Sequence, residues 1–147
     1  MTAVMLAAEA PTVHDTRVVP SPYRDMLGLR VVEWEADVCV VEIPLRDSLR
    51  NFSGSVAGPV VAAAMDMAAV LSGCHTPSPL PTRRAVTLAL SVAFVAPTFD
   101  DVVRARAVKV GGGKNVFTST VTATDGSGTT IATGQATCRY VAQEVFP

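Results

Sequence analysis

The most strongly predicted element of the chain is a helix over residues 58–73, in which nearly every position is apolar. A helix without a polar face is buried on most of its sides. Asp66 is the only charged residue in this segment, and Gly73 follows as a stop signal. The pattern therefore predicts a central buried helix that carries one carboxylate.

Segments rich in β-branched residues predict strands on both sides of this helix. Residues 29–45 form two apolar runs around Ala36 and Asp37, which is typical of a hairpin. Between positions 86 and 94, large apolar residues alternate with small ones, so we expect one large face and one small face. The small face consists of Thr87, Ala89, Ser91 and Ala93, and further strands are expected at 102–110, 116–124 and 129–141.

The order of these elements predicts an α+β fold in one domain. Two strands precede the helix and four follow it, so the simplest packing curls an antiparallel sheet around the helix. The chain has 147 residues, which suits one domain. We expect a loose N-terminal arm at 1–19 and a single domain at 20–147, opened by a short helix that Ser21 caps and Gly28 ends.

The charge balance argues against nucleic acid as a partner. The 12 basic and 13 acidic residues give a net charge of −1, and they form no basic stripe. A membrane span at 56–74 is disfavoured because Asp66 lies near its middle.

Cys39, Cys74 and Cys138 are too scattered for a disulfide framework or a paired-cysteine zinc site. We expect them to be small buried side chains in a cytoplasmic protein, with no metal and no resident cofactor.

Two positions on the helix are candidates for chemistry. Asp66 is either a carboxylate that reaches solvent or one held in an apolar cleft, where it serves as a base or nucleophile. Gly58 either merely opens the helix with Pro59 or offers a free N–H to a developing oxyanion.

Helix geometry separates these two candidates. Eight residues at about 1.5 Å each place Asp66 about 12 Å along the axis from Gly58. One reacting carbonyl cannot touch both groups, since catalytic contacts span about 3 Å. If both groups serve one reaction, they come from different chains, as in a two-fold dimer with antiparallel helices.

A set of motifs between Pro22 and Tyr140 resembles the hotdog-fold acyl-CoA thioesterases of the phenylacetate-degradation (PaaI-like) type, within the 4-hydroxybenzoyl-CoA thioesterase superfamily. The order and spacing of these motifs together carry the resemblance. They are Leu27–Leu29, Asn51–Pro59, Asp66, Ala85–Leu88, Phe94–Pro97, Gly113-Lys114 and Asp125–Gly128.

The resemblance implies an acyl-CoA thioesterase that releases free acid and CoA. Asp66 matches the catalytic nucleophile or general base, and Gly58 matches the glycine whose N–H polarises the thioester carbonyl. Asn51 matches a loop residue that places the carbonyl or the water, and Thr87 matches a strand hydroxyl near that water. CoA is part of the substrate rather than a cofactor, and the protein is expected to be a homodimer that pairs into a homotetramer.

The resemblance also implies a binding surface for CoA. Two segments match the parts that line the pantetheine arm and the nucleotide. They are Phe94–Pro97 and Gly113, Lys114, Asn115 and Val116. Lys114 would meet a phosphate, with help from Arg83 or Arg84, and the other interpretation is that these are solvated surface charges.

One position departs from the family pattern. The family usually has His-Gly-Gly at the helix start, whereas this chain has Ala57-Gly58-Pro59. The missing histidine keeps two alternatives open, a non-catalytic acyl-CoA-binding protein and a structural dimer without a ligand. Hotdog hydratases need a paired histidine and aspartate, so dehydration is disfavoured.

Overall fold

The computed structural model describes residues 21–77 and 80–142, and the predicted arm at 1–19 lies outside them. The elements follow the predicted order. They are α1 (Pro22–Leu27), β1 (Arg30–Glu35), β2 (Val38–Pro44), a 3-10 turn (Asp47–Leu49), α2 (Gly58–Ser72), β3 (Arg84–Phe94), β4 (Val102–Gly112), β5 (Val116–Asp125) and β6 (Thr130–Val141).

The six strands form one antiparallel sheet in the order β1-β2-β4-β5-β6-β3. Helix α2 packs against strands from one edge of this sheet to the other. The core lies between helix and sheet, and its fully enclosed members include Val41, Ile43, Ala64, Met65, Ala68, Val103, Ala105, Phe117 and Ala136. The predicted antiparallel sheet around one buried helix is confirmed.

The short elements at the start follow their local sequence. The Ser21 side chain accepts a hydrogen bond from the Arg24 N–H at 3.3 Å, and Gly28 ends α1 with φ of 70°. Asp37 takes φ of 65° in the turn between β1 and β2, a conformation that aspartate tolerates better than most residues.

Helix α2 ends where its last turn meets the sheet. A Cβ on Gly73 would overlap the Phe117 ring, so only glycine lets α2 approach β5 this closely. The helix has 15 residues, fewer than the roughly 20 needed to cross a bilayer. Within residues 21–77 and 80–142, no helix is long and apolar enough to span a membrane.

The predicted alternation along β3 is wrong at its centre. Thr87 pairs with Cys138 and Ala89 pairs with Thr137, so Leu88 is an extra residue in a β-bulge. Because a bulge shifts the following side chains to opposite faces, Thr87 shares the helix-facing side with Leu90 rather than with Ala89. The expected small face is therefore divided. Thr87 faces α2, whereas Ala89, Ser91 and Ala93 face the other side of the sheet.

The three cysteines are free and buried, as predicted. Burial raises the pKa of Cys74 to about 12 and that of Cys138 to about 11, and it also raises the pKa of Cys39. Their thiols are therefore protonated at neutral pH, which excludes them as nucleophiles in the ground state.

Candidate active site

The first turn of α2 leaves one backbone donor free. Pro59 has no N–H, and the N–H groups of Val60 and Val61 both reach the Ala57 carbonyl, at 3.0 and 3.5 Å. The Gly58 N–H has no acceptor among the described residues. Ala57 supplies no side-chain cap. An unpartnered N–H at the positive end of a helix suits an oxygen that gains negative charge.

The segment before α2 is held in place by its backbone. The Ala57 N–H donates to the Leu49 carbonyl at 2.9 Å, and the Val56 N–H donates to the Thr98 carbonyl at 3.0 Å. The Arg50 guanidinium adds hydrogen bonds to the carbonyls of Gly54 and Asp100. These bonds tie the loop to the segment after β3 and fix the direction of the Gly58 N–H.

An apolar cleft of about 340 Å³ opens beside Gly58. The Phe94 ring forms one wall, since a Cβ on Gly58 would lie 3.4 Å from the Cζ of that ring. Every lining residue is apolar, namely Val56, Gly58, Val61, Phe94, Val95, Ala96, Pro97 and Ile131. The cleft therefore suits an uncharged group next to a single backbone donor.

Asp66 lies two turns further along α2 and faces β3. Its Oδ1 accepts a hydrogen bond of 2.6 Å from the Thr87 hydroxyl. Both residues are half-buried, so the carboxylate is neither enclosed in the core nor free in solvent. The bulge at Leu88 makes this bond possible, because without it Thr87 would face away from the helix.

The predicted loop residue Asn51 bonds within its own loop. Its Nδ2 donates to the Ser55 hydroxyl at 2.9 Å, and its Oδ1 accepts from the Ser53 N–H and hydroxyl. These contacts shape the loop that leads to Gly58. A role for Asn51 in placing the carbonyl or the water stays a prediction.

The turn at Gly113–Val116 lies at the other end of β3, next to Arg83. The Arg83 guanidinium donates to the Lys114 carbonyl at 3.0 Å and stacks on the Tyr140 ring, 3.1 Å from its centroid. The Gly113 N–H closes the turn by donating to the Val116 carbonyl. Arg83 is therefore partly engaged by protein groups, and it holds Lys114 through the backbone rather than through the lysine side chain.

Two groups of predicted residues lie far apart within one chain. Gly58 and the segment Phe94–Pro97 are at the end of β3, whereas Gly113–Val116 and Arg83 are near its start. Eleven residues of strand span about 33 Å, so one chain cannot bring both groups around one small ligand. The structure brings together Asp66 with Thr87, and Gly58 with Phe94, as two separate pairs.

Solved structures of other proteins share this arrangement of helix and sheet. A conserved protein from Pseudomonas aeruginosa has 25% identity and a TM-score of 0.74, with 83% of this chain and 95% of that chain covered. A mutant of the phenylacetic acid degradation protein PaaI from Thermus thermophilus has 25% identity and a TM-score of 0.71, with coverages of 82% and 100%. This chain has the hotdog fold of the PaaI-like thioesterases. The resemblance found in the sequence is thereby confirmed.

A more distant PaaI-like relative shows how far the fold is shared. The PaaI protein of the E. coli phenylacetic acid degradation operon is only 17% identical but has a TM-score of 0.73, with 83% of this chain and 86% of that chain covered. No family model and no curated protein matches this hotdog chain. The likeness therefore lies in the fold more than in the sequence.

Sequence reasoning missed part of the cleft in this hotdog chain. Val61 and Ile131 line it, yet both have the pattern of ordinary core residues on a helix and a strand. The contact between Phe94 and Gly58 was also missed, since they are far apart in the sequence. No local signal reports such contacts, because they depend on how β3 and β6 meet the helix start.

Proposed function

We propose that this protein hydrolyses the thioester of an acyl-CoA to a free acid and CoA. The observation that carries the proposal is the unpartnered Gly58 N–H at the wall of an apolar cleft. An amide donor in such a place stabilises the oxyanion of an acyl-transfer reaction. The same reaction class is supported by structural neighbours described as a thioesterase from Haemophilus influenzae and a putative thioesterase from Ralstonia eutropha.

Asp66 supplies the attack on the carbonyl carbon in this proposal. As a general base it takes a proton from water, and the water oxygen bonds to that carbon while the Gly58 N–H holds the oxyanion. The carbon–sulfur bond then breaks, and the leaving thiolate recovers a proton from Asp66. As a nucleophile, Asp66 would instead displace the CoA thiolate to form an acyl anhydride, and water would then hydrolyse the anhydride while giving a proton to the thiolate. In both cases the Thr87 hydroxyl orients Oδ1 and leaves Oδ2 for the reaction.

The active assembly in this proposal is a two-fold dimer formed through β3. This strand is an edge of the sheet, and it exposes 57% of Leu88 at its centre and 57% of Phe94 at its end. An exposed apolar edge strand is a template for pairing with another chain. Antiparallel pairing about its midpoint would bring Gly58 of one chain towards Asp66 of the other.

The same dimer would assemble the predicted CoA surface. Phe94–Pro97 lies at one end of β3, and Gly113, Lys114, Asn115 and Val116 lie near the other, so antiparallel pairing joins them across the interface. Lys114 would then face the phosphates of a CoA whose thioester lies beside Gly58. The three buried thiols suit a reducing compartment such as the cytoplasm.

A panel of acyl-CoA thioesters with thiol release as the readout tests the activity. A solution mass measurement on the parent and on Leu88→Lys tests the assembly. We expect turnover by a dimer or tetramer, and smaller particles without turnover for Leu88→Lys, because a charge at the centre of β3 opposes edge pairing. Absence of hydrolysis across the panel would refute the activity, and a monomeric active parent would refute the shared site.

Ala57 favours a second candidate function, acyl-CoA binding without hydrolysis. Its methyl group offers no hydrogen bond at the position where the family that the sequence resembles usually has a histidine, so the oxyanion is left to the Gly58 N–H alone. Tight binding of an acyl-CoA without release of thiol would support this alternative.

A further inference from the structure

The Phe94 side chain occupies an unusual place at the mouth of the cleft. Three of its ring atoms, Cζ, Cε1 and Cε2, lie 3.4 to 3.9 Å from where a Gly58 Cβ would be. They are the three heavy atoms nearest to that point outside the neighbouring backbone. The ring thus lies against the side of Gly58 on which a side chain would project, at the start of α2.

The backbone at Phe94 is held by the sheet. Residue 94 pairs with Ala132 in the sheet, and the next two N–H groups, of Val95 and Ala96, both donate to the Ile131 carbonyl. Phe94 is 57% exposed and is the last residue of β3. Phe94 is therefore a wall of the cleft whose backbone is firmly attached to the sheet.

The cleft has the size and chemistry for part of a substrate. Its volume of about 340 Å³ is near the lower end of ligand pockets, which hold roughly 300–1,000 Å³. That space suits an acyl group rather than a whole acyl-CoA. Because no lining residue has a polar side chain, a charged acyl group would lose its hydration without compensation.

We propose that the cleft holds an uncharged acyl group and that Phe94 is its specificity-determining residue, so that Phe94 contacts the acyl side of the thioester instead of the pantetheine arm that the resemblance implies for Phe94–Pro97. This inference rests on the proposed hydrolysis of acyl-CoA. With the carbonyl oxygen on the Gly58 N–H, the carbon next to the carbonyl lies against the Phe94 ring. The ring therefore limits width at that carbon, and it favours acyl groups that are slim there over groups that are branched there.

The test compares two thioesters of similar carbon number, hexanoyl-CoA and cyclohexanecarbonyl-CoA, in the parent, Phe94→Leu and Phe94→Ala. The ratio of the two kcat/KM values within one variant cancels differences in the amount of active protein. We expect Phe94→Ala to raise the ratio of branched to straight substrate about tenfold, with Phe94→Leu between it and the parent. Phe99→Ala is the matched control, since Phe99 is 63% exposed but does not line the cleft.

A second readout separates this inference from the proposed reaction. Ketone analogues of both thioesters, in which a methylene replaces the sulfur, report binding without hydrolysis. If the parent has no activity but Phe94→Ala shifts the ratio of the two Kd values about tenfold, the reaction is refuted and the specificity role stands.

An unchanged ratio in both readouts would overturn the role of Phe94. An equal shift for Phe99→Ala would also overturn it, because the effect would then not depend on the wall of the cleft. The role is likewise refuted if the Phe94→Ala particle is smaller in solution than that of the parent while the ratio of branched to straight substrate is unchanged. Phe94 would then serve the contact between chains.

Discussion

Strands β5 and β3 lie on either side of β6 and both contact α2, yet they are buried to very different degrees. On β5, the residues that face the helix are enclosed, with exposures of 0% for Phe117 and Ser119 and 2% for Val121. On β3, every residue is at least partly exposed. One side of the helix is covered by the chain's own sheet, and the other is left open.

The open side is where both candidate pairs lie. Asp66 meets Thr87 there, and Gly58 meets Phe94, whereas the enclosed side holds packing contacts and the buried pair of Ser72 and Ser119. In the proposed dimer, a second chain would cover this exposed edge strand. Substitutions on the open side should therefore affect activity far more than a substitution remote from it.

Replacing Asp66 by Asn should have the largest effect. The amide keeps the size of the side chain but cannot accept a proton from water or attack a carbonyl, so we expect kcat to fall about 10³-fold with KM nearly unchanged. Steady-state kinetics with the best acyl-CoA of the panel measure this. Asp37→Asn is the control, because Asp37 lies in the β1–β2 turn and its carboxylate forms an exposed ion pair with Lys109. Equal kinetics for Asp66→Asn and the parent would contradict the assigned mechanism.

The next effect concerns the Gly58 N–H, which Gly58→Pro deletes. Proline suits the first position of a helix, and Ala57 already has the extended conformation, φ −68° and ψ 133°, that a residue before proline prefers. We expect kcat to fall about 10²- to 10³-fold, the usual effect of losing one oxyanion donor.

Gly58→Ala is the matched control for added bulk, since it places a Cβ in the same position but keeps the N–H. We expect it to retain more activity than Gly58→Pro when both have the parent's circular dichroism spectrum. If both variants lose activity equally, bulk in the cleft rather than the N–H explains the loss.

A smaller effect is expected from Thr87→Val, which removes the hydroxyl but keeps the shape of the side chain. Asp66 then loses its 2.6 Å hydrogen bond, so we expect kcat to fall about tenfold through a less well-oriented carboxylate. Thr87→Ser keeps the hydroxyl and should recover most of the activity. Rates for Thr87→Val that match those of the parent would show that the bond does not contribute.

The smallest effect lies away from α2, in the β5–β6 hairpin. The Ser127 hydroxyl, with further donors from Thr129 and Thr98, lowers the pKa of Asp125 below its ordinary value of 3.8, although burial opposes this. A lowered pKa in the folded state contributes stability above pH 3.8, and this stability is lost as the pH falls through the lowered pKa.

Asp125→Asn should therefore lower Tm by about 3–6 °C at pH 7 and leave kcat/KM unchanged. The Tm difference should shrink as the pH falls below 3.8 and through the lowered pKa, where the parent's carboxyl takes up its proton. Thermal melts over this range of pH measure the effect. A constant difference throughout would contradict the role assigned to the carboxylate charge.

Most of the fold follows from local patterns in the sequence. The apolar run after Pro59 predicts α2, because a helix is buried where its positions are apolar. Ser21 and Gly28 mark the two ends of α1, and Asp37 marks the turn between β1 and β2. The bulge at Leu88 could not be predicted, since it depends on the register between β3 and β6. The bulge decides which face of the sheet carries the Thr87 side chain, so the hydrogen bond between Thr87 and Asp66 depends on a non-local feature.

The sequence predicts which residues form the candidate site, but not how they contact one another. Asp66 stands out in the sequence as a lone charge in an apolar helix, and Gly58 as a glycine before proline. The wall formed by Phe94, Val61 and Ile131 has no such signal, because three separate elements meet there. Distance along a helix could still be used, and it predicts that Gly58 and Asp66 come from different chains if both serve one reaction.

Complementation between two inactive variants tests that shared site most directly. Asp66→Asn and Gly58→Pro chains are co-expressed with different tags, and the mixed dimer is purified by both tags in turn. One of its two sites then combines an intact Gly58 from one chain with an intact Asp66 from the other, so we expect about half of the parent's activity per dimer. A mixed dimer as inactive as the two variants alone would contradict a site built from both chains.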